Sequence, residues 1–215
     1  MESGTRFRND TSTNSNPPEK PRKEGNRDAF DELWWPLIHS TLGLRPLHMW
    51  DVGRRAHIQE GQRVLEVRAG HPLWRIYSGR VGNTGTFIAL DINETINRRS
   101  RRIIQFLNLG KEKQSEQTIT ADENNLPFRD ESMDIIIANG VETGESAYKE
   151  AFRVLKPKGR LISSEWGNYP SRLLGTDILS RIGFTNVHRR IGTPAGILIV
   201  PNMFVIASKP PSEDA

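Results

Sequence analysis

Two spacings of apolar residues run along this chain. The first is a set of short, near-continuous runs. Val64, Leu65 and Val67 make one, Phe87-Ile88-Ala89-Leu90 a second, and Gln117 to Thr120 a weaker third. Runs of this length predict strands buried on both faces, as in a parallel sheet. The second spacing is helical. Phe30, Leu33, Trp34, Leu37 and Ile38 follow a potential Asp28 cap. Leu47, Trp50 and Val52, with Arg54 to Ile58, predict another helix ending near Gly61. Leu73 to Ser78 predicts a short helix, with Pro72 tolerated at its first position. Glu94 to about Leu109 predicts a longer one, with Ile96, Ile103, Ile104 and Leu107 inward and Arg98, Arg99, Arg101 and Arg102 outward. Tyr148, Ala151, Phe152, Val154 and Leu155 mark a further helix.

The stretch Arg63 to Asn93 organises the rest. It reads strand, turn, helix, loop, strand, with Arg68-Ala69-Gly70-His71-Pro72 as the turn and Gly79, Gly82 and Gly85 breaking the chain before the second strand. Asp91 falls at that strand's carboxyl end. A carboxylate there can accept two hydrogen bonds from a ribose diol, and open α/β sheets bind ligands outside the carboxyl ends of their strands. Glu66 to Asp91 resembles the class I S-adenosylmethionine (SAM)-dependent methyltransferases, close to the small-molecule type 11 group. That family carries E-x-G-x-G-x-G after its first strand and an acidic residue ending its second. Here the three glycine positions fall on Arg68, Gly70 and Pro72.

Later segments extend the resemblance. Ala121-Asp122-Glu123-Asn124-Asn125-Leu126-Pro127-Phe128 is similar to the family's A-D-A-x-x-L-P-F. Asp130 to Asn139 is similar to its D-x-S-F-D-x-V at strand four. Arg153-Val154-Leu155-Lys156-Pro157-Lys158-Gly159-Arg160-Leu161 is close to R-V-L-K-P-G-G-R-L. In that last segment Pro157 is expected to stop the helix and Gly159 to make the turn into strand five. Gly183 to Val187 and Met203 to Ser208 correspond to the sixth and seventh strands. The resemblance implies an α/β Rossmann-like fold: a seven-stranded, mostly parallel sheet with helices on both faces and an N-terminal helical cover. The expected organisation is a polar, basic arm over 1–27, covering helices over 28–62, the methyltransferase-like domain over 63–209, and a tail over 210–215.

Composition narrows the chemistry. The 215 residues include no cysteine, which excludes disulfides, thiolate metal sites and a cysteine nucleophile. The five histidines show no metal-ligand spacing. No apolar run reaches bilayer length and the N-terminus holds no apolar leader, so the expectation is a cytoplasmic protein without a membrane role. A net charge of +4, the basic arm and the Arg98–Arg102 cluster leave an RNA-associated role as a third reading. A solvated helix face competes with it, and no aromatic residues interleave with the cluster.

The resemblance implies SAM as cofactor, with a site built from Glu66, Arg68, Ala69, Gly70, His71, Asp91, Ile92, Asp122, Glu123 and Asn139. Asp91 would take the ribose and Ile92 would pack on the adenine. Asp122 and Glu123 would edge the adenine. The turn would hold the methionine part, and the Asn139 backbone would lie near its amino group. Methyl transfer needs alignment more than a catalytic triad, because the sulfonium is already activated. His39, His57, Glu142, Tyr148 and Trp166 are acceptor-side candidates by position, with a small, partly apolar acceptor expected from the aromatic content of the covering helices. The competing reading is a binding or scaffold module whose turn is altered by Arg68 and Pro72.

Overall fold

The computed structural model describes residues 44–70, 72–106, 115–139, 144–165, 175–191 and 203–212. All lie in the unit Ile38–Ala215. In chain order the elements are α1 (Leu44–Ala56), β1 (Arg63–Val67), a 3-10 turn (Pro72–Trp74), α2 (Arg75–Ser78), a second 3-10 turn (Gly79–Val81), β2 (Thr86–Asp91), α3 (Glu94–Phe106), β3 (Glu116–Thr120), β4 (Met133–Asn139), α4 (Glu145–Val154), β5 (Leu155–Glu165), α5 (Gly175–Ile182), β6 (Thr185–Ile191) and β7 (Met203–Ser208).

The seven strands form one sheet in the order β3-β2-β1-β4-β5-β7-β6. β1 to β5 pair in parallel, and β7 runs antiparallel to both β5 and β6. The expected seven-stranded, mostly parallel sheet is therefore present. Strand order reverses between β1 and β4. Outside the carboxyl ends of these two strands lies the crevice where open α/β sheets take their ligands.

Alternation along each strand builds two cores. Leu65, Val67, Ile88, Leu90, Ile136, Ala138 and Leu161 face α4 and α5, meeting Tyr148, Ala151, Val154 and Leu179. Val64, Phe87, Ala89, Ile135, Ile137 and Ile162 face the other way, onto Met49, Val52 and Ala56 of α1 and onto Trp74 and Tyr77. Trp74 stacks on Phe87 at 5.3 Å, and Tyr77 meets the same ring edge-on at 5.8 Å. Gly53 lets α1 approach this cluster, because a Cβ there would sit 2.5 Å from Tyr77 Cβ. Arg160 of β5 donates to the carbonyls of Ala56 and Arg55, which satisfies the last turn of α1.

His48 on α1 packs against the sheet rather than into an open pocket. Its ring stacks on Phe204 at 5.6 Å, and its Nε2 lies 3.2 Å from Ser164 Oγ. Trp50 is half exposed, with the Arg54 guanidinium 5.7 Å from its ring. On α3, Ile96 and Ile103 are half-buried, while Arg98, Arg99 and Arg102 are exposed. Arg98 pairs with Glu94 at 3.0 Å. Among the described residues no helix is long and apolar enough to cross a membrane.

The α4–β5 junction corrects one expectation. α4 ends at Val154, and Leu155 is already extended (φ −69°, ψ 135°) and paired with Met133. The left-handed residue is Lys158 (φ +66°), not Gly159. Glycine is needed at 159 for closeness: a Cβ there would lie 2.7 Å from the Lys156 carbonyl oxygen and 3.2 Å from that of Asp134.

Candidate functional site

At the carboxyl edge of the sheet Val67 pairs with both Leu90 and Ala138, so Arg68 follows β1 beside Asp91 at the end of β2 and Asn139 at the end of β4. Asp91 is 7% exposed. Its Oδ2 accepts the Gly70 N–H at 3.2 Å, and its Oδ1 accepts the Asn93 N–H at 2.9 Å. The Ala69 N–H donates to the Leu90 carbonyl at 2.9 Å, which docks the turn onto β2. A carboxylate has about four lone-pair directions, so each oxygen keeps capacity for a further donor. Ile92 is 60% exposed, an apolar side chain offered directly beside the buried carboxylate.

α3 fixes this edge with polar contacts that hydrophobic periodicity does not reveal. The buried Asn97 Nδ2 shares its hydrogens among the carbonyls of Asp91 (3.2 Å) and Ile119 (3.0 Å) and the Thr120 Oγ1 (3.0 Å). Ser100, also buried, donates to the Gly70 carbonyl at 3.3 Å. Small polar residues on the inward face of α3, three and six residues past Glu94, are the signal that could have found them.

The loop after β3 supplies the opposite wall. Asp122 is exposed, with its Oδ1 accepting the Asn124 N–H and Nδ2 at 2.9 Å each. Glu123 is buried. The loop is clamped from α4. Glu150 accepts the Leu126 N–H at 2.8 Å, and Arg153 donates to the Leu126 and Phe128 carbonyls and to Asp130 and Glu150. The Arg153 hydrogen bonds hold the Glu150 carboxyl below its ordinary range; burial opposes them and the Leu126 N–H reinforces them. The arginine that opens the R-V-L-K-P segment thus anchors the ligand-side loop.

Arg68 occupies a position where the resembling motif has glycine, and its backbone is left-handed (φ +56°). That conformation costs a side-chain-bearing residue roughly 1–2 kcal/mol relative to glycine. Its guanidinium is ion-paired with Glu123 through both Nε and an Nη. The side chain therefore leaves the turn and crosses to the loop after β3.

The other sequence-derived candidates separate. Glu66 is 1% exposed and accepts the Tyr77 hydroxyl beneath the turn, so it supports the edge from below. Tyr148 is 3% exposed, with its hydroxyl 3.3 Å from Ser163 Oγ. It borders a cavity of about 10 Å³ that Glu123 also lines, room for roughly one water. His57 sits past the end of α1 with φ +49°, in a groove shared with Gln62, Asp134 and Lys158. This groove lies at the amino ends of β1 and β4, the pole opposite Asp91. The backbone of Asn139 ends β4 at the crevice. His39, His71, Glu142 and Trp166 lie outside the described residues.

Known proteins match in the same terms. The family model described as "Methyltransferase domain" matches residues 72–163. The ubiquinone/menaquinone biosynthesis C-methyltransferase UbiE of Pseudomonas savastanoi pv. phaseolicola is 34% identical over 168 residues, which is 74% of this chain and 64% of that protein. The chain thus spans a little under two thirds of the length of the curated relatives it matches. Among solved structures, a SAM-dependent methyltransferase from Aquifex aeolicus superposes with TM-score 0.62 at 21% identity, over 80% of this chain and 97% of the other. The cyclase SpnF superposes with TM-score 0.62 at 16% identity, over 78% and 81%. Likeness at these identities concerns the fold.

Sheet order, edge carboxylate and matched segments define a Rossmann-like class I domain. In sequence the chain is similar to class I SAM-dependent methyltransferases, through the methyltransferase-domain match over residues 72–163 and the 34% identity to the C-methyltransferase relatives. That likeness implies SAM as the cofactor. The residues present fit an adenosine: a buried carboxylate for a diol, an exposed apolar side chain beside it, and an exposed carboxylate on the facing loop.

Proposed function

We propose that this chain transfers the methyl group of SAM to a small, partly apolar acceptor, with carbon as the receiving atom. The observation that carries the reading is the Asp91–Ile92 pair on the carboxyl edge of β2, a buried carboxylate followed by an exposed apolar side chain, beside the β1/β4 switch point. The C-methyltransferase relatives support carbon as the acceptor atom.

Bound SAM supplies a methyl group already activated on a sulfonium. The protein's work is then to bind, orient and exclude water. Asp91 takes the ribose diol and Ile92 packs on the adenine. Asp122 accepts from the adenine amino group, with Glu123 beside it. The Arg68-Ala69-Gly70-His71 turn and the Asn139 backbone hold the amino-acid end. A base is required only where the acceptor must lose a proton. His39, Glu142 and Trp166 are acceptor-side candidates from the sequence, and of these only His39 and Glu142 carry a group able to take a proton. Tyr148, buried and bonded to Ser163, serves as the floor of the crevice.

Titration calorimetry with SAM and its demethylated product tests this reading. Micromolar binding that Asp91→Ala abolishes is the expected result. No binding at millimolar ligand overturns it in favour of a scaffold module, the reading that Arg68 in the glycine position favours.

A further inference from the structure

One ion pair spans the ligand edge of the sheet. Arg68 replaces a glycine of the resembling motif yet keeps the left-handed backbone that glycine would adopt freely (φ +56°). Its guanidinium reaches Glu123 through both Nε and an Nη. The Glu123 side chain is 6% exposed and that of Arg68 is 32% exposed. Both ends are docked by hydrogen bonds. Glu123 belongs to the loop that Glu150 and Arg153 clamp to α4. Arg68 begins the turn whose next two amides dock onto β2, Ala69 on the Leu90 carbonyl and Gly70 on Asp91. Polar contacts joined by short stretches of backbone therefore link α4 to Asp91: α4 holds Leu126, Glu123 holds Arg68, and Gly70 donates to Asp91.

Charge gives the pair a second consequence. The turn that follows β1 receives the methionine part of the cofactor in the proposed reading, and that part carries a sulfonium cation. A bare guanidinium there would repel it. Paired with a buried carboxylate, the guanidinium presents little net charge. The demethylated product is a neutral thioether and would not sense the difference.

We infer that Arg68 and Glu123 form a latch that stands in for the missing glycine. Glu123 holds the left-handed Arg68, and with it the Ala69–Gly70 turn, and cancels the arginine's charge beside the sulfonium. The holding function rests on geometry alone; the charge function rests on the SAM reading. Both residues are positioning residues.

The test compares the full-length wild-type chain with Glu123→Gln and with the double variant Arg68→Gly/Glu123→Gln. It reads amide hydrogen exchange at Ala69 and Gly70 and the affinities for SAM and its demethylated product. In Glu123→Gln both amides exchange about tenfold faster or more, while Leu65 and Ile136 keep their protection. SAM affinity falls about tenfold further than product affinity, the size of a unit charge that solvent partly screens. The double variant restores the wild-type SAM-to-product ratio, because the uncovered cation is gone. If Glu123→Gln does not fold, Arg68→Lys is used instead; it keeps the charge, loses the two-pronged contact and speeds the same amides. Unchanged exchange at Ala69 and Gly70 overturns the latch. Faster exchange with equal loss of both ligands overturns charge cancellation and leaves the mechanical role. Faster exchange in a protein whose wild type binds neither ligand supports the latch and sinks the methyl-transfer reading.

Discussion

The side chain of Asn97 donates to the backbone carbonyl of Asp91, and the same amide reaches Ile119 and Thr120. α3 is thereby fastened by hydrogen bonds to the ends of two neighbouring strands, at the point where the ligand-facing carboxylate leaves the sheet. Removing the donor leaves buried acceptors unmet, which costs about 1–3 kcal/mol. Asn97→Leu is expected to lose about that much in urea unfolding. Asn97→Asp is expected to lose more, because it aims a charged acceptor at other acceptors. Both should weaken SAM binding in calorimetry while the fold persists by circular dichroism.

The Glu150 carboxyl is held low by the Arg153 hydrogen bonds. A carboxylate with a depressed folded-state pKa stabilises the protein above its unfolded pKa, about 4.3, and loses that contribution as pH falls through the folded value. The Leu126 amide, which donates to Glu150, should therefore lose exchange protection as pH is lowered below about 4. Glu150→Gln should flatten this dependence, and exchange at Leu126 followed by NMR from pH 6 to pH 3 would show it.

A buried pair secures the amino end of β3. Arg75 lies 3.3 Å from Glu116, with side chains 11% and 2% exposed, and Ser78 donates to the same glutamate at 2.6 Å. Removing one partner of a buried pair typically costs about 3–5 kcal/mol, while replacing both with apolar residues can be close to neutral. Arg75→Met is expected to lower the melting temperature by several degrees, and Arg75→Met/Glu116→Leu to recover most of the loss.

Gly53 offers a test in which two effects oppose. Alanine is favoured over glycine within a helix by about 1 kcal/mol. At Gly53 its Cβ would fall 2.5 Å from Tyr77 Cβ, so α1 must shift. Overpacking of this kind costs about 1–3 kcal/mol. Gly53→Ala is expected to destabilise the protein in denaturant titration, whereas a net gain would mean that α1 slides at little cost.

The sheet was legible because parallel strands buried on both faces are nearly unbroken apolar runs. Phe87 to Leu90 and Ile135 to Ala138 could hardly be anything else. Asp91 was legible from its place at a strand end. What escaped depends on contacts between segments far apart in sequence. Nothing local in Arg68 tells that it will cross to Glu123, 55 residues away. Asn97 and Ser100 interrupt the apolar face of α3, so periodicity passes over them. Pro157 and Gly159 marked the junction correctly but not its geometry, because Leu155 enters strand pairing with Met133 before the proline is reached. His57 and Tyr148 were chosen by nearness in sequence to covering helices or strand ends. The structure sends one to the far pole and the other into the core.

The insertion of β7 between β5 and β6 bears on the order in which the molecule can be made. On the ribosome, β1 to β5 can pair as soon as they emerge, but β6 has no neighbour until the later β7 is synthesised. Until then the β5 edge stands open, with the apolar Leu161 and Ile162 beside unpaired backbone groups, a template for pairing with another chain. The last third of the sheet is therefore a closing step, and the nascent protein is most exposed to aggregation just before residues 203–208 leave the exit tunnel.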